Sequence, residues 1–193
     1  MKIGIFGGCF NPPHMMHEKV ALELIDKKLL DKVIYVPTGD KYNKLGLVTE
    51  KDRYNMLKII CSKNEYLEVS DHEFNVERVY TYQTMDYFKK LYPKSELYFI
   101  CGAENLDEFD TWREYKYIMS NYKILVNNRN NINIDNLLEK YDEFRNNIII
   151  TDVDFIDISS TMIRNMIKNS DGDIVKYLDL DVLDYIKENN LYI

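Results

Sequence analysis

Short, nearly unbroken apolar runs alternate with longer stretches whose apolar residues recur every three or four positions. The runs 2–6, 32–36, 66–69, 96–101, 123–126 and 148–151 have the length of strands, and several are apolar almost throughout. A strand apolar on both sides is one covered on both faces, as in a parallel sheet flanked by helices. Between the runs, residues 14–30, 50–63, 82–92, 105–119 and 135–145 carry helical periodicity. This alternation predicts an α/β fold, a parallel sheet with crossover helices. Thr49, followed by Asp52, and Thr81 are predicted N-caps, since a side-chain oxygen there accepts a free backbone N–H. From Ser159 onward the chain reads as a helical segment broken near Asp171-Gly172-Asp173. No repeat, linker or heptad interrupts the pattern, so residues 1–193 read as one domain.

Composition then narrows the classes of function. The 193 residues are 46% hydrophobic and 30% charged, a globular balance and not a disordered one. A formal charge of −7 argues against a nucleic-acid partner, because backbone binding needs a net basic face. It does not disfavour a small anion held by a few local groups. No window approaches the roughly 20 apolar residues of a membrane span. The first apolar run lacks the length and cleavage site of a signal peptide. Cys9, Cys61 and Cys101 are odd in number and far apart, which fits free thiols in a reducing cytosol better than disulfides or zinc. A cytoplasmic protein with no membrane partner is expected.

Two segments carry candidate chemistry. Gly7-Gly8-Cys9-Phe10-Asn11 ends a strand in a glycine pair, which lets backbone approach a ligand. Pro12 and Pro13 follow, and His14 and His17 lie three apart on the first turn of a helix, sharing a face. A helix start exposes free N–H groups and a positive dipole end, a natural phosphate seat to which two imidazoles add donors. The second segment is Ile158-Ser159-Ser160-Thr161-Met162-Ile163-Arg164. Its hydroxyls cap a helix, and Arg164 is the i+4 neighbour of Ser160, a permanent cation able to fork onto phosphate. Each segment has a plainer reading: a tight turn with surface histidines, and a capped helix with a surface arginine. Together they shift the balance to phosphate binding.

The stretch from Gly7 to His17 resembles the HxGH loop of the nucleotidyltransferase superfamily, usually GGxFDPxHxGH. Here Asn11 replaces the Asp and Met16 replaces the Gly, so Met16 is expected to crowd a bound nucleotide. The stretch from Ile158 to Arg164 resembles that superfamily's ISSTxIR motif. Further residues resemble the bacterial nicotinate-nucleotide adenylyltransferases: Thr81 and Thr84 in a TYTxxT-like segment, and Gly102-Ala103-Glu104 at a FIxGAD-like strand end. Trp112 follows at the family's spacing, and the end of the chain is like its YIxxxxLY helix. The resemblance spans Lys2 to Tyr192. It departs after the second strand, where 37–44 replaces a Pro-Pro-His-Lys loop and Lys44 or Lys41 becomes the candidate basic group. Arg129 matches the Arg of the family's RPG loop without its Pro-Gly.

The resemblance implies a doubly wound, Rossmann-like sheet of nucleotidyltransferase type. It implies adenylyl transfer from ATP, with Mg²⁺ arriving on the ATP, to nicotinate mononucleotide in NAD biosynthesis. His14, His17 and Arg164 would be catalytic. Gly7, Gly8, Cys9, Phe10, Asn11, Ile158, Ser159, Ser160, Thr161 and Arg164 would hold ATP, and Lys44, Thr81, Thr84, Gly102, Glu104 and Trp112 the acceptor. No protein metal site is expected; His72, beside Asp71 and Glu73, reads as loop. Another acceptor, nicotinamide mononucleotide or pantetheine phosphate, and a silent nucleotide-binding protein are the alternatives. The choice of carboxylate or amide and any homo-oligomer are left open.

Overall fold

Each of the apolar runs is a strand. The computed structural model describes the chain except for residues 43–45, 75, 129–131 and 155. Strands β1 (Lys2–Gly8), β2 (Lys32–Pro37), β3 (Leu67–Val69), β4 (Glu96–Gly102), β5 (Lys123–Asn127) and β6 (Ile148–Thr151) form one sheet in the order β3-β2-β1-β4-β5-β6. Every pairing is parallel. Strand order reverses direction between β1 and β4, the switch point at which open α/β sheets form a ligand crevice beyond the strands' C-terminal ends. β1 runs two residues further than its apolar pattern, because Gly7 and Gly8 still pair with Val36 and Pro37.

Alternate strand residues feed two cores. Val33 and Tyr35 join α1 (Met15–Asp26), α2 (Glu50–Cys61) and the C-terminal helices on one face. Ile3, Ile5, Ile34 and Val36 join α3 (Thr81–Leu91), α5 (Tyr115–Asn121) and α6 (Ile134–Lys140) on the other. Each buried Val, Ile or Leu contributes on the order of 1.5–3 kcal/mol, so the two-sided burial outweighs local propensity. Gly4 has no alternative: a Cβ there would lie 2.5 Å from Leu30.

Helix ends show where local signals were decisive. Thr49 caps α2 as expected, its hydroxyl oxygen accepting the Asp52 N–H at 3.1 Å. Thr81 is instead the first residue of α3. The N-cap is Tyr80, whose backbone N–H is taken by Gln83 Oε1 at 3.0 Å. The stretch 105–119 is not one helix: α4 (Ala103–Asp107), a 3-10 turn (Phe109–Thr111) and α5 follow one another, with Glu114 in left-handed backbone (φ 57°). Likewise 135–145 becomes α6 and a 3-10 turn (Asp142–Asn147). In both places the break lets Phe109, and then Phe144, turn into the same core.

The C-terminal segment is α7 (Ser160–Lys168), a 3-10 turn (Gly172–Lys176) and α8 (Leu180–Glu188). It docks on α2 through Tyr185, whose hydroxyl donates to Asp52 and accepts from Asn55, both at 2.9 Å.

Candidate active site

A cleft of about 500 Å³ opens at the switch point, floored by the ends of β1 and β4 and walled by the starts of α1, α3 and α7. Gly7, Gly8, Cys9, Phe10, Asn11, His14 and His17 border it on one side; Ser159, Ser160, Thr161 and Arg164 border it from α7. The two candidate anion seats, about 150 positions apart in sequence, therefore share one cavity.

Local chemistry explains how the first seat is held. His14 is the N-cap of α1, in extended backbone. Its N–H donates to His17 Nδ1 at 3.1 Å, and the two rings stack with centroids 3.9 Å apart. Because Nδ1 accepts, the neutral His17 ring carries its proton on Nε2, and that N–H is the donor it can offer. His17 also packs against the Phe10 ring at 4.9 Å, and its carbonyl accepts the Tyr35 hydroxyl at 3.0 Å. The Phe10 contact and the bond at Nδ1 orient the ring, while Tyr35 fixes the backbone that carries it. His14 is 3% exposed and His17 half-buried.

The second seat is tied to the first by direct bonds. Ser159, not Ser160, caps α7, accepting the Met162 N–H at 3.2 Å. The Ser160 hydroxyl donates to the Pro12 carbonyl at 2.9 Å, and Arg164 Nη1 donates to the Asn11 carbonyl at 2.8 Å. Arg164 Nη2 reaches Thr161 Oγ1 at 3.0 Å. A planar guanidinium fixed at two nitrogens keeps its remaining N–H groups aimed at a bound anion. Ile158, just before this cap, has its side chain buried in the core beside α1 and α2 and is not among the residues that border the cleft.

The far end of the cleft is apolar and aromatic. Trp112 stacks on Phe109 at 4.7 Å and meets Phe99 edge-on at 5.8 Å, which holds the indole at the cleft wall. Thr81, Thr84, Glu73 and Val79 border the same cavity. Thr84 donates its hydroxyl proton to Glu73 Oε1 at 2.7 Å. Burial pushes the Glu73 carboxyl up to about 7, the Thr84 hydrogen bond opposing only part of that rise. At Gly102 the Glu104 carboxylate folds back over the backbone, and a Cβ there would displace it. Asn127, buried at the end of β5, also borders the cleft, and its Oδ1 accepts no hydrogen bond among the described residues.

The family model described as Cytidylyltransferase-like matches residues 5–166. A "Probable nicotinate-nucleotide adenylyltransferase" of Clostridium acetobutylicum is 35% identical, covering 100% of this chain and 99% of its own. One of the same description from Fusobacterium nucleatum is 38% identical over 89% of this chain and 90% of its own. The chain belongs to the nicotinate-nucleotide adenylyltransferase family. The fold agrees: a Plasmodium falciparum nicotinic acid mononucleotide adenylyltransferase, complexed with NaAD, superimposes with a TM-score of 0.85 at 24% identity, over 99% of this chain and 97% of that one.

Within this adenylyltransferase, the two departures from the motif have structural accounts. Asn11 is 4% exposed, donates from Nδ2 to the Gly46 carbonyl at 2.8 Å and accepts at Oδ1 from Val48 N–H at 3.1 Å. An Asp could not make the first bond, so the altered residue and the altered loop after β2 fit each other. Met16 borders the cleft yet is 4% exposed and buried in the α1 core, so it packs more than it crowds. Lys44 and Arg129 fall outside the described residues, and Lys41 is exposed. His72 stacks on Tyr87 at 3.7 Å, and no group of His, Cys, Asp or Glu suited to a metal ion occurs among the described residues. None of the described helices is long and apolar enough to cross a membrane. Sequence reading did not single out Glu73 and Asn127, which border the cleft, or Arg53 and Tyr192, which bond to the loop beside it; the one available signal was Arg53, a charged residue in helical phase with Met56, Leu57 and Ile60.

Proposed function

We propose that the cleft transfers the adenylyl group of MgATP to the phosphate of nicotinate mononucleotide, releasing pyrophosphate and forming deamido-NAD. The observation that carries this reading is the joining of the two anion seats through Ser160–Pro12 and Arg164–Asn11, with the Trp112 ring wall in the same cavity. The relatives' shared description supports the acceptor.

An acceptor phosphate oxygen attacks the α-phosphorus while the bond from that phosphorus to the bridging β-phosphate oxygen breaks. The attacking oxygen is already ionised, so no protein base or nucleophile is required. Catalysis then consists of positioning and neutralising charge on the crowded phosphorus and leaving group. His17 Nε2–H serves the α-phosphate and His14 the phosphate chain. Ser160, Thr161 and Arg164 restrain the β- and γ-phosphates, and Mg²⁺ arrives as part of the nucleotide, held by phosphates and water. Trp112 offers a flat face to the pyridine ring.

A second reading, a carboxamide-bearing acceptor, is favoured by one contact. While Thr84 gives its proton to Glu73, its oxygen offers only lone pairs to the cleft, which suit an amide N–H better than a carboxylate. The test is a panel of acceptor phosphates with MgATP, following pyrophosphate release. Nicotinate mononucleotide should be turned over fastest. Preference for nicotinamide mononucleotide would establish the second reading, and ATP binding without release for any acceptor would overturn catalysis.

A further inference from the structure

Arg53 is 0% exposed, the largest fully buried side chain among the described residues, and it does not border the cleft. A guanidinium is charged at any ordinary pH, so full burial requires compensation at most of its donors. The compensation is unusual in its distribution. Nε donates to the Val48 carbonyl at 3.1 Å, Nη1 to the Cys9 carbonyl at 3.0 Å and to Thr38 Oγ1 at 3.5 Å, and Nη2 to Asp40 at 3.0 Å. The Asp40 side chain is 47% exposed, so that ion pair is screened and does not by itself account for burying the charge.

The Cys9 carbonyl gives the arrangement a direction. A peptide is planar and trans, so its C=O and the following N–H point opposite ways. The Gly8 carbonyl is taken by the Thr38 N–H at 3.0 Å, and the Cys9 carbonyl by Arg53. The Cys9 carbonyl is thus turned toward Arg53, which does not border the cleft, and the Phe10 N–H of the same peptide points the opposite way. Phe10 follows in left-handed backbone (φ 48°), so the chain changes direction at this peptide, beside the cleft. A charged donor on the carbonyl also polarises the peptide and strengthens its N–H as a donor.

We infer that Arg53 is a positioning residue for phosphate: from behind the loop it holds the Cys9–Phe10 peptide with its N–H directed at the nucleotide. This rests on the reading of the cleft as an ATP site. Without the guanidinium, that peptide is free to rotate and present its carbonyl oxygen to the phosphates, turning an attraction into a repulsion. The same side chain joins three segments, at Cys9, Thr38–Asp40 and Val48, and so ties the phosphate loop to the end of β2 and the start of α2.

The test uses the sequence itself. Cys9-Phe10 is the one place where Phe follows Cys, so carbonyl-¹³C cysteine with ¹⁵N phenylalanine marks a single amide in the full chain. Inorganic pyrophosphate and a non-hydrolysable ATP analogue should move that Phe10 proton downfield in the wild type. In a folded R53K variant the response should be lost and kcat should fall about tenfold or more. A role confined to stability would lower the melting temperature and leave the Phe10 response in place, which would overturn the inference. So would a wild-type amide that does not respond although both ligands bind, and this arm decides if R53K does not fold. If neither ligand binds the wild type, the ATP reading itself falls.

Discussion

The Tyr192 hydroxyl donates to Asn11 Oδ1 at 2.9 Å, across 181 positions of chain. The same side chain is bonded to Gly46 and Val48, so one buried amide joins the phosphate loop, the loop before α2 and the last turn of the chain, while the Asn11 backbone carbonyl separately accepts from Arg164 of α7. Burial holds the Tyr192 hydroxyl well above its ordinary pKa, so it stays a donor. Tyr192→Phe should lower stability by about 0.5–1.5 kcal/mol, since Oδ1 keeps its Val48 bond. Asn11→Asp should cost more, about 1–3 kcal/mol, because it sets a carboxylate against the Gly46 carbonyl. Urea denaturation of both variants checks the order; an Asp at least as stable as Asn would refute the account of Asn11.

His17→Ala is expected to reduce kcat by about 10²-fold or more, the usual scale for a lost transition-state donor. The fold should survive, with about 1 kcal/mol lost from the start of α1, where Nδ1 now holds the His14 N–H. Steady-state kinetics beside a melting curve separates the two effects. Near wild-type turnover would remove His17 from the mechanism.

Met16→Ala should act mainly on stability. The side chain lies in the α1 core, and truncating a buried Met typically costs about 2–5 kcal/mol. Met16→Gly should be worse by about 1 kcal/mol, glycine being the poorer helix former. If turnover rises in the alanine variant while stability is unchanged, the residue crowds nucleotide after all.

Glu73 predicts a pH dependence of defined sign. Its carboxyl titrates near 7 in the folded chain against 4.5 for an unperturbed glutamate. The folded state therefore binds the proton more tightly, and this contribution is present in full below pH 4.5 and lost as pH rises through 7. The loss is at most about 3 kcal/mol at 1.36 kcal/mol per pKa unit. Glu73→Gln should flatten that part of the stability profile between pH 5 and 8. A profile identical to wild type would mean that the carboxyl titrates normally.

Trp112 is the one tryptophan, so intrinsic fluorescence reports its environment directly. Nicotinate mononucleotide should quench it, whereas pyrophosphate should not. Trp112→Ala should raise the acceptor KM about tenfold, within the roughly 1–3 kcal/mol that ring stacking is worth, with the ATP KM little changed. Equal effects on both constants would place the indole outside the acceptor subsite.

The chain pattern by itself determined the architecture. Two-sided apolar runs can be satisfied only inside a covered parallel sheet, so the strands were readable to within one or two residues. The motif residues were legible for the same kind of reason: glycines, paired histidines and a hydroxyl-rich helix start are local chemistry at fixed spacing. Helix interruption at Glu114 was not, because left-handed backbone at a non-glycine is imposed by the core that Phe109 enters. Nor were Arg53 and Tyr192 legible as partners of the phosphate loop. A buried polar group declares its role only through the atoms that satisfy it, and the ones on the loop lie 44 positions from Arg53 and 181 from Tyr192. Sequence decided which residues could handle phosphate; the parallel pairing of β1 with β4 at the switch point decided that they border one cleft.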